Sequence, residues 1–178
     1  MRDVGLYKLE RDTTKYFKHL AAHLPRIKDP TLLILRGHLL VEELLDEILE
    51  TWLKNPNVLI DARLTFYQKM KLAQGITSKQ DDKFTWKPIE LLNQLRNKIS
   101  HKLSPHDLEI RIEEFLRIMY PDEYDDIPSD LYSKSKAMRK AIILHCAYMS
   151  GRIDVMKLFK NEQSNKLLQP TPKSGAAE

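Results

Sequence analysis

Arg96 and His101 are the two side chains whose types and spacing best suit chemistry, and they lie five residues apart in LLNQLRNKISHKL. A guanidinium binds phosphate oxygens through its planar fork, and an imidazole exchanges a proton near neutral pH. The pair suits metal-free RNA cleavage, in which the ribose 2'-hydroxyl attacks phosphorus, His101 moves a proton and Arg96 stabilises charge on the phosphoryl oxygens. DNA lacks that hydroxyl and would be spared.

Other polar residues would support this chemistry. Asn97 would hydrogen-bond the scissile phosphate or orient His101, which follows it by four residues. Glu43 is the acidic residue expected to orient Arg96 or His101, although a solvent-exposed helix pair explains it as well. Three further cations would add phosphate-binding charge: Lys98, Lys102 and Arg111.

The spacing of Arg96 and His101 has a structural explanation too. On an uninterrupted α-helix the two side chains would point about 140° apart. A helix break at about Leu103, or a second chain packed against this helix end, would let them share a site. A histidine in the last turn is also favoured by the helix dipole alone, so the spacing leaves both explanations open.

Helices must position these residues, because the sequence has many leucines, which are not branched at Cβ, few valines and only five glycines. Apolar periodicity predicts helices over residues 3–23, 31–53, 61–74 and 88–102, a fifth helix starting at Ser104, and a sixth over 129–159. We expect Gly75 to end the third helix, and Pro88 to occupy the first position of the fourth. The predicted fold is an all-α, up-and-down bundle of four to six helices.

Apolar residues are expected on both faces of the second helix. Trp52 falls on its predicted core face, whereas Leu32, Leu35 and Leu39 fall on the charged side. That side is therefore expected to be covered by another helix or another chain. The other prominent aromatic residues are also expected in the core: Phe66, Tyr67 and Trp86.

The 178 residues suit one domain over 1–160 with a polar tail over 161–178, and 42% apolar and 30% charged residues exclude disorder and a membrane span. The net charge of +4 permits a polyanion partner without requiring one. Cys146 is the only cysteine and lies in an apolar run, so we expect a buried thiol and no disulfide. Without an export signal, the expected location is the cytoplasm.

Neither a metal nor a cofactor is expected. His19 and His23 are four residues apart, a spacing that can bind zinc, but no glutamate follows His19 directly as the protease motif requires. We expect them to be a surface pair. The sequence has no glycine-rich phosphate loop and no zinc-finger spacing.

The segment LLNQLRNKISHKL resembles the signature of the HEPN (higher eukaryote and prokaryote nucleotide-binding) superfamily, which is an arginine, a polar residue, three residues and a histidine. Arg96 to His101 match it completely. The helix order over about 25–120 is also similar to HEPN bundles and to mannitol-repressor-like proteins. The resemblance implies a homodimer with the motif at the subunit cleft, and a metal-independent endoribonuclease that acts on RNA, frequently as a toxin.

The same resemblance implies an alternative function and further partners. Mannitol-repressor-like proteins act in regulation, which makes a non-catalytic dimeric regulator or interaction module the second hypothesis. A toxin of this family would have a cognate antitoxin as partner, although Leu103 stands where the subgroup silenced by a nucleotidyltransferase has tyrosine. The ending QPTPKSGAAE resembles the translated recombination repeat of integron gene cassettes, which implies a bacterial mobile element.

Overall fold

The computed structural model describes residues 18–24, 29–77, 83–100 and 104–167. Within these ranges the chain forms helices and no strand, so the predicted all-α fold is confirmed. After a helical segment at 18–23, the helices are α1 (Pro30–Trp52), α2 (Val58–Ala62), α3 (Phe66–Thr77), α4 (Lys83–Ile99), α5 (Pro105–Met119) and α6 (Leu131–Leu167). A short 3-10 turn, Tyr124–Asp126, precedes α6.

Four long helices form a ring around one apolar core. Helix α1 packs against α4 and α6, α5 packs against the same two helices, and α3 lies across α1 and α4. The largest side chains that are almost fully buried include Leu33, Leu44, Ile89, Leu95 and Phe115. Burial of each such side chain stabilises the fold by roughly 1.5–3 kcal/mol, which makes the ring of helices the scaffold for any site on its surface.

The direction of α6 departs from a strictly up-and-down order. Gly37 lies close to Ile142, and further along both helices Glu47 pairs with Lys157. The later residue of α1 contacts the later residue of α6, so the two helices are parallel. The connection after α5 returns the chain along the side of that helix. Lys134, near the start of α6, therefore lies beside the middle of α5.

Helix α1 matches the predicted range of 31–53 closely. The side chain of Asp29 accepts a hydrogen bond from the Thr31 N–H at 2.8 Å, which satisfies one of the free donors at the helix start. The prediction that Trp52 is in the core is wrong, since 44% of it is exposed. It lies in the last turn, where its indole N–H points to Met156 Sδ at 3.3 Å.

The boundaries of the third predicted helix are wrong at both ends. Residues 58–62 form the separate helix α2, which stops at Arg63 because this residue has a left-handed φ of 47°. Helix α3 then begins at Phe66 and continues past Gly75 to Thr77, since a glycine weakens a helix without having to end it. Phe66 is buried as predicted, but Tyr67 is exposed, which makes its assignment to the core wrong.

Helix α4 begins at Lys83, so Pro88 lies inside it and not at its first position. At this position the proline cannot donate to the Phe84 carbonyl, and its ring crowds that carbonyl, so the first turn of α4 needs other support. Thr85 and Trp86 are buried, and their burial stabilises the turn before the proline. The predicted core position of Trp86 is confirmed.

The remaining helix ends follow local signals. Ser104 caps α5 as predicted, because its Oγ accepts from the Asp107 N–H at 3.2 Å. Helix α6 runs past Phe159 to Leu167, so the first residues of the predicted tail are helical. Of the first predicted helix, the structure describes only the part from residue 18 onward. Arg139 on α6 donates a hydrogen bond to the Leu24 carbonyl at the end of this segment.

Candidate active site

Arg96 and Asn97 lie in the last turn of α4, and both are exposed. Arg96 Nη1 donates a hydrogen bond to Asn97 Oδ1 at 3.2 Å. Arg96 forms no salt bridge within the described ranges, whereas several other cations pair with carboxylates: Lys69, Lys87, Arg111, Lys134 and Lys157. Its charge is therefore not neutralised by a described carboxylate, and the guanidinium can meet an anion from solvent.

Ser100 follows the last residue of α4. Its N–H and its hydroxyl both donate hydrogen bonds to the Arg96 carbonyl, at 3.3 and 3.2 Å. Helix α5 begins after the cap Ser104, so only a short connection joins the two packed helices. His101 and Lys102 belong to this connection and lie outside the described residues. His101 therefore follows Arg96 by five residues in the sequence. That the two side chains share a site stays a prediction.

The structure describes two of the cations that were predicted to bind substrate, and their surroundings differ. Lys98 is half-buried in the same last turn as Arg96. Arg111, on α5, donates to Glu114 Oε2 at 2.7 Å within its own helix. Since Glu114 offsets its charge, Arg111 is the weaker of the two as a phosphate ligand.

Glu43 lies on the side of α1 that faces α6. It is exposed and lines an open cleft of about 800 Å³ together with Lys157 and Lys160 of α6. The neighbouring residue, Glu42, faces the other way and binds Lys69 of α3 at 3.0 Å. Consecutive residues of an α-helix are 100° apart around its axis. The Glu42 carboxylate therefore faces α3, whereas the Glu43 carboxylate faces α6.

His38 is the residue near Arg96 that the sequence analysis missed. Its Nε2 lies 3.2 Å from Oδ1 of Asn93, one turn before Arg96 on α4. Burial lowers the pKa of His38, and the positive charge of Arg96 lowers it further, while Asn93 and Glu42 oppose that shift. The available signal was Asn93 itself, a polar residue three positions before the arginine and therefore on the same side of the helix.

The other candidates behave as structural residues. His19 and His23 form an exposed pair, in which His23 Nδ1 lies 2.9 Å from the His19 carbonyl. Burial raises the pKa of the Cys146 thiol to about 12, so it is not a nucleophile at neutral pH. Among the described residues no group of three histidine, cysteine or acidic side chains is arranged to hold a metal ion.

Comparisons with protein-family models, curated proteins and solved structures found no match to this chain. In the ranges that the structure describes, none of the helices has both the length and the apolar character needed to cross a bilayer. The case for a function therefore depends on the residues around Arg96.

Proposed function

We propose that this chain is a metal-independent endoribonuclease of the HEPN type, with Arg96 and His101 at the scissile phosphate and Asn97 in support. One observation carries the proposal: Arg96 is exposed at the helix end that leads to His101, and its hydrogen bond goes to the neutral side chain of Asn97. An arginine held in this way keeps its full charge and most of its five donors for phosphate oxygens.

The proposed reaction is an in-line attack of the ribose 2'-hydroxyl on the adjacent phosphorus. The new bond joins the 2'-oxygen to phosphorus, and the bond from phosphorus to the 5'-oxygen breaks. His101 moves the proton that leaves the 2'-hydroxyl, and a proton is delivered to the departing 5'-oxygen. Arg96 stabilises the charge that develops on the phosphoryl oxygens, and the products are a 2',3'-cyclic phosphate and a 5'-hydroxyl.

Lys98 and Lys102 would bind phosphates on either side of the scissile one, with Arg111 in a lesser part because Glu114 already offsets its charge. The biological setting that we propose is a toxin of a toxin-antitoxin or mobile-element defence system, with RNA as substrate and a cognate antitoxin as partner. The proposed assembly is a homodimer through α1 and α4, in which a second copy brings another motif to the cleft.

Cleavage of mixed single-stranded and structured RNA in the presence of EDTA tests the proposal. The variants Arg96→Gln and His101→Gln are compared with Arg117→Gln and His23→Gln, which change exposed residues of the same types away from this helix end and from the proposed dimer face. We expect a loss of at least about 100-fold for the first pair, because each removes a charge-stabilising or proton-transferring group. The second pair should cleave like the wild type.

Two results would count against the proposal. One is equal activity in all five proteins, which indicates a contaminating nuclease. The other is a wild type that leaves every RNA intact at micromolar concentration while remaining folded. Under the proposed mechanism DNA of the same sequence stays intact, since it has no 2'-hydroxyl, and its cleavage would also indicate a contaminating nuclease.

A second candidate is the non-catalytic dimeric regulator or interaction module. The observation in its favour is a row of exposed apolar side chains on α6: Leu144, Tyr148, Val155, Leu158 and Phe159. Exposed apolar patches rich in aromatic residues are typical of protein-binding surfaces. An inert protein whose association depends on this row, and not on α1, would favour the regulator over the ribonuclease.

A further inference from the structure

His38 lies where α1, α3 and α4 meet, and only 5% of it is exposed. Its ring stacks on Phe66, with 4.0 Å between the centroids, and its Nε2 is 3.2 Å from Asn93 Oδ1. An amide oxygen can only accept a hydrogen bond, so Nε2 carries the proton and donates. This bond reaches from α1 to α4 inside the bundle.

The bond meets α4 one turn before the candidate site. Asn93 and Arg96 are three residues apart, so their side chains are neighbours on the helix surface. Phe66 holds the imidazole plane from one side, and Asn93 fixes its donor. The hydrogen bond from His38 to Asn93 therefore fixes the position of this turn of α4 relative to α1.

Several charged groups surround His38. Glu42 belongs to its own helix, Arg96 comes from α4, and from α3 the uncharged ring of Phe66 stacks on it. Lys69, the nearby cation of α3, is bound to Glu42 at 3.0 Å. Because burial and Arg96 lower the pKa of His38, the neutral imidazole is favoured at pH 7, and it donates without placing a second positive charge beside the guanidinium.

We propose that His38 is a positioning residue for Arg96: by donating to Asn93 it fixes the turn of α4 that presents the guanidinium to a phosphate group. That the ligand is a phosphate rests on the proposed function, whereas the hydrogen bond from His38 to Asn93, one turn before Arg96, does not. His38 is buried and acts on substrate only through α4.

A linked consequence concerns protonation. The positive charge of Arg96 opposes protonation of His38, and a phosphate bound to Arg96 would offset that charge. Phosphate binding and protonation of His38 therefore favour each other, and by linkage each must strengthen the other to the same extent.

The first experiment needs no RNA. The pKa of His38 is measured by NMR titration in the wild type, in Arg96→Gln and in Arg36→Gln, which removes an exposed charge from the opposite side of α1. We expect the pKa of His38 to rise in Arg96→Gln and to stay at the wild-type value in Arg36→Gln. An unchanged value in Arg96→Gln overturns the coupling between His38 and Arg96, and with it the linkage between protonation and phosphate binding.

The second experiment separates positioning from packing with two variants of one residue. His38→Gln keeps a donor for Asn93 and loses the ring, whereas His38→Phe keeps a ring against Phe66 and loses the donor. Binding is measured with a 2'-O-methyl RNA oligonucleotide, which resists 2'-hydroxyl attack. We expect His38→Phe to weaken binding about 3- to 10-fold, the equivalent of one hydrogen bond, and His38→Gln to bind within about 2-fold of the wild type.

The outcomes distinguish the two proposals. Weaker binding in His38→Gln than in His38→Phe indicates a packing role and overturns positioning. If His38→Phe does not fold, Asn93→Leu removes the acceptor and leaves His38 stacked on Phe66, and it should show the same loss of binding. If the wild type binds no RNA, the proposed function fails, and the NMR titration still supports or overturns the coupling of His38 to Arg96.

Discussion

At the scale of single residues, Lys134 is a buried cation held by two carboxylates. It donates to Glu109 and Glu113 at 2.7 Å each and is itself only 5% exposed. We expect Lys134→Met to lower the free energy of unfolding by about 1–3 kcal/mol at pH 7, less than for a fully buried pair because both carboxylates are partly hydrated. Urea unfolding measures this, and Lys87→Met, which breaks an exposed pair, should change stability by less than about 0.5 kcal/mol.

The same contact predicts a dependence on pH. The hydrogen bond from Lys134 lowers the pKa of Glu113 below its ordinary value of 4.5. The stability that this shift contributes is present above that ordinary value and is lost as the pH falls through the lowered one. The difference between wild type and Lys134→Met should therefore shrink between pH 7 and pH 3, and a difference that stays constant would show that the charges do not cause it.

Cys146 should be inert in the folded protein. Burial raises its pKa to about 12, so almost no thiolate exists at pH 8. A thiol reagent such as DTNB should not react with native protein over an hour and should label one thiol per chain in 8 M urea. Rapid labelling of the native protein, with Cys146→Ser as the blank, would mean that α6 opens.

The candidate site shows what residue types alone can predict. Arg96 was identified from its residue type and its spacing to His101, and the structure places it on the surface. His38 was not identified, because Asn93 lies 55 positions away and only the packing of α4 against α1 pairs the two. Glu42 and Glu43 are adjacent in the sequence, and only the packing of α3 and α6 against α1 assigns them to different neighbours.

At the scale of helices, two glycines that look alike in the sequence differ in their surroundings. A Cβ at Gly37 would lie 2.9 Å from Ile142 Cδ1, whereas a Cβ at Gly151 would meet nothing within 4 Å. We expect Gly151→Ala to stabilise the protein by about 0.5–1 kcal/mol, because alanine favours the helix. We expect Gly37→Ala to destabilise it by about 1 kcal/mol, because Cγ2 of Ile142 would also lie within 3.2 Å and the buried Ile142 has little room to move away.

Chemical denaturation of both variants measures the difference, and the double variant Gly37→Ala with Ile142→Val identifies its cause. Removing Cδ1 should recover part of the loss, so the two substitutions should be less destabilising together than the sum of their separate effects. Simple additivity would assign the cost of Gly37→Ala to something other than this contact.

Helix α5 depends on its N-cap residue, Ser104. Ser104→Ala removes the cap on the Asp107 N–H and should cost about 1 kcal/mol, whereas Ser104→Asn should keep most of the stability. Thermal unfolding of the two variants measures this. Equal melting temperatures for wild type and Ser104→Ala would show that the cap contributes nothing to this helix.

Helix boundaries were predictable where a local signal decides them. Proline at the helix start together with a capping side chain defined α1 and α5, since both signals act within a few residues. Pro88 gave the wrong start for α4, because the burial of Thr85 and Trp86, which depends on other helices, stabilises the turn before it. Lys160, the first residue after the predicted end of α6, also has a tertiary partner, since its ammonium donates to the Thr51 carbonyl of α1.

At the scale of the whole molecule, two faces expose apolar side chains. Leu32 and Leu39 lie on α1 and are not covered within the described chain, while Tyr148 and Phe159 belong to the row on α6. The sequence predicted the first face from leucines on the charged side of α1. It gave no sign of the second, because the direction of α6 in the bundle decides which of its sides meets solvent.

The proposed homodimer through α1 and α4 makes a prediction that separates these faces. Leu39 and Tyr148 are 52% and 51% exposed, so glutamate at either position is tolerated equally in a monomer. Because a buried, unpaired carboxylate is costly, Leu39→Glu should raise the dimer dissociation constant at least about 100-fold, and Tyr148→Glu should leave it unchanged. Analytical ultracentrifugation across a concentration series measures both constants. The reverse result would place the dimer contact on α6, away from Arg96, and a cleft that needs a second copy of the motif would then be impossible.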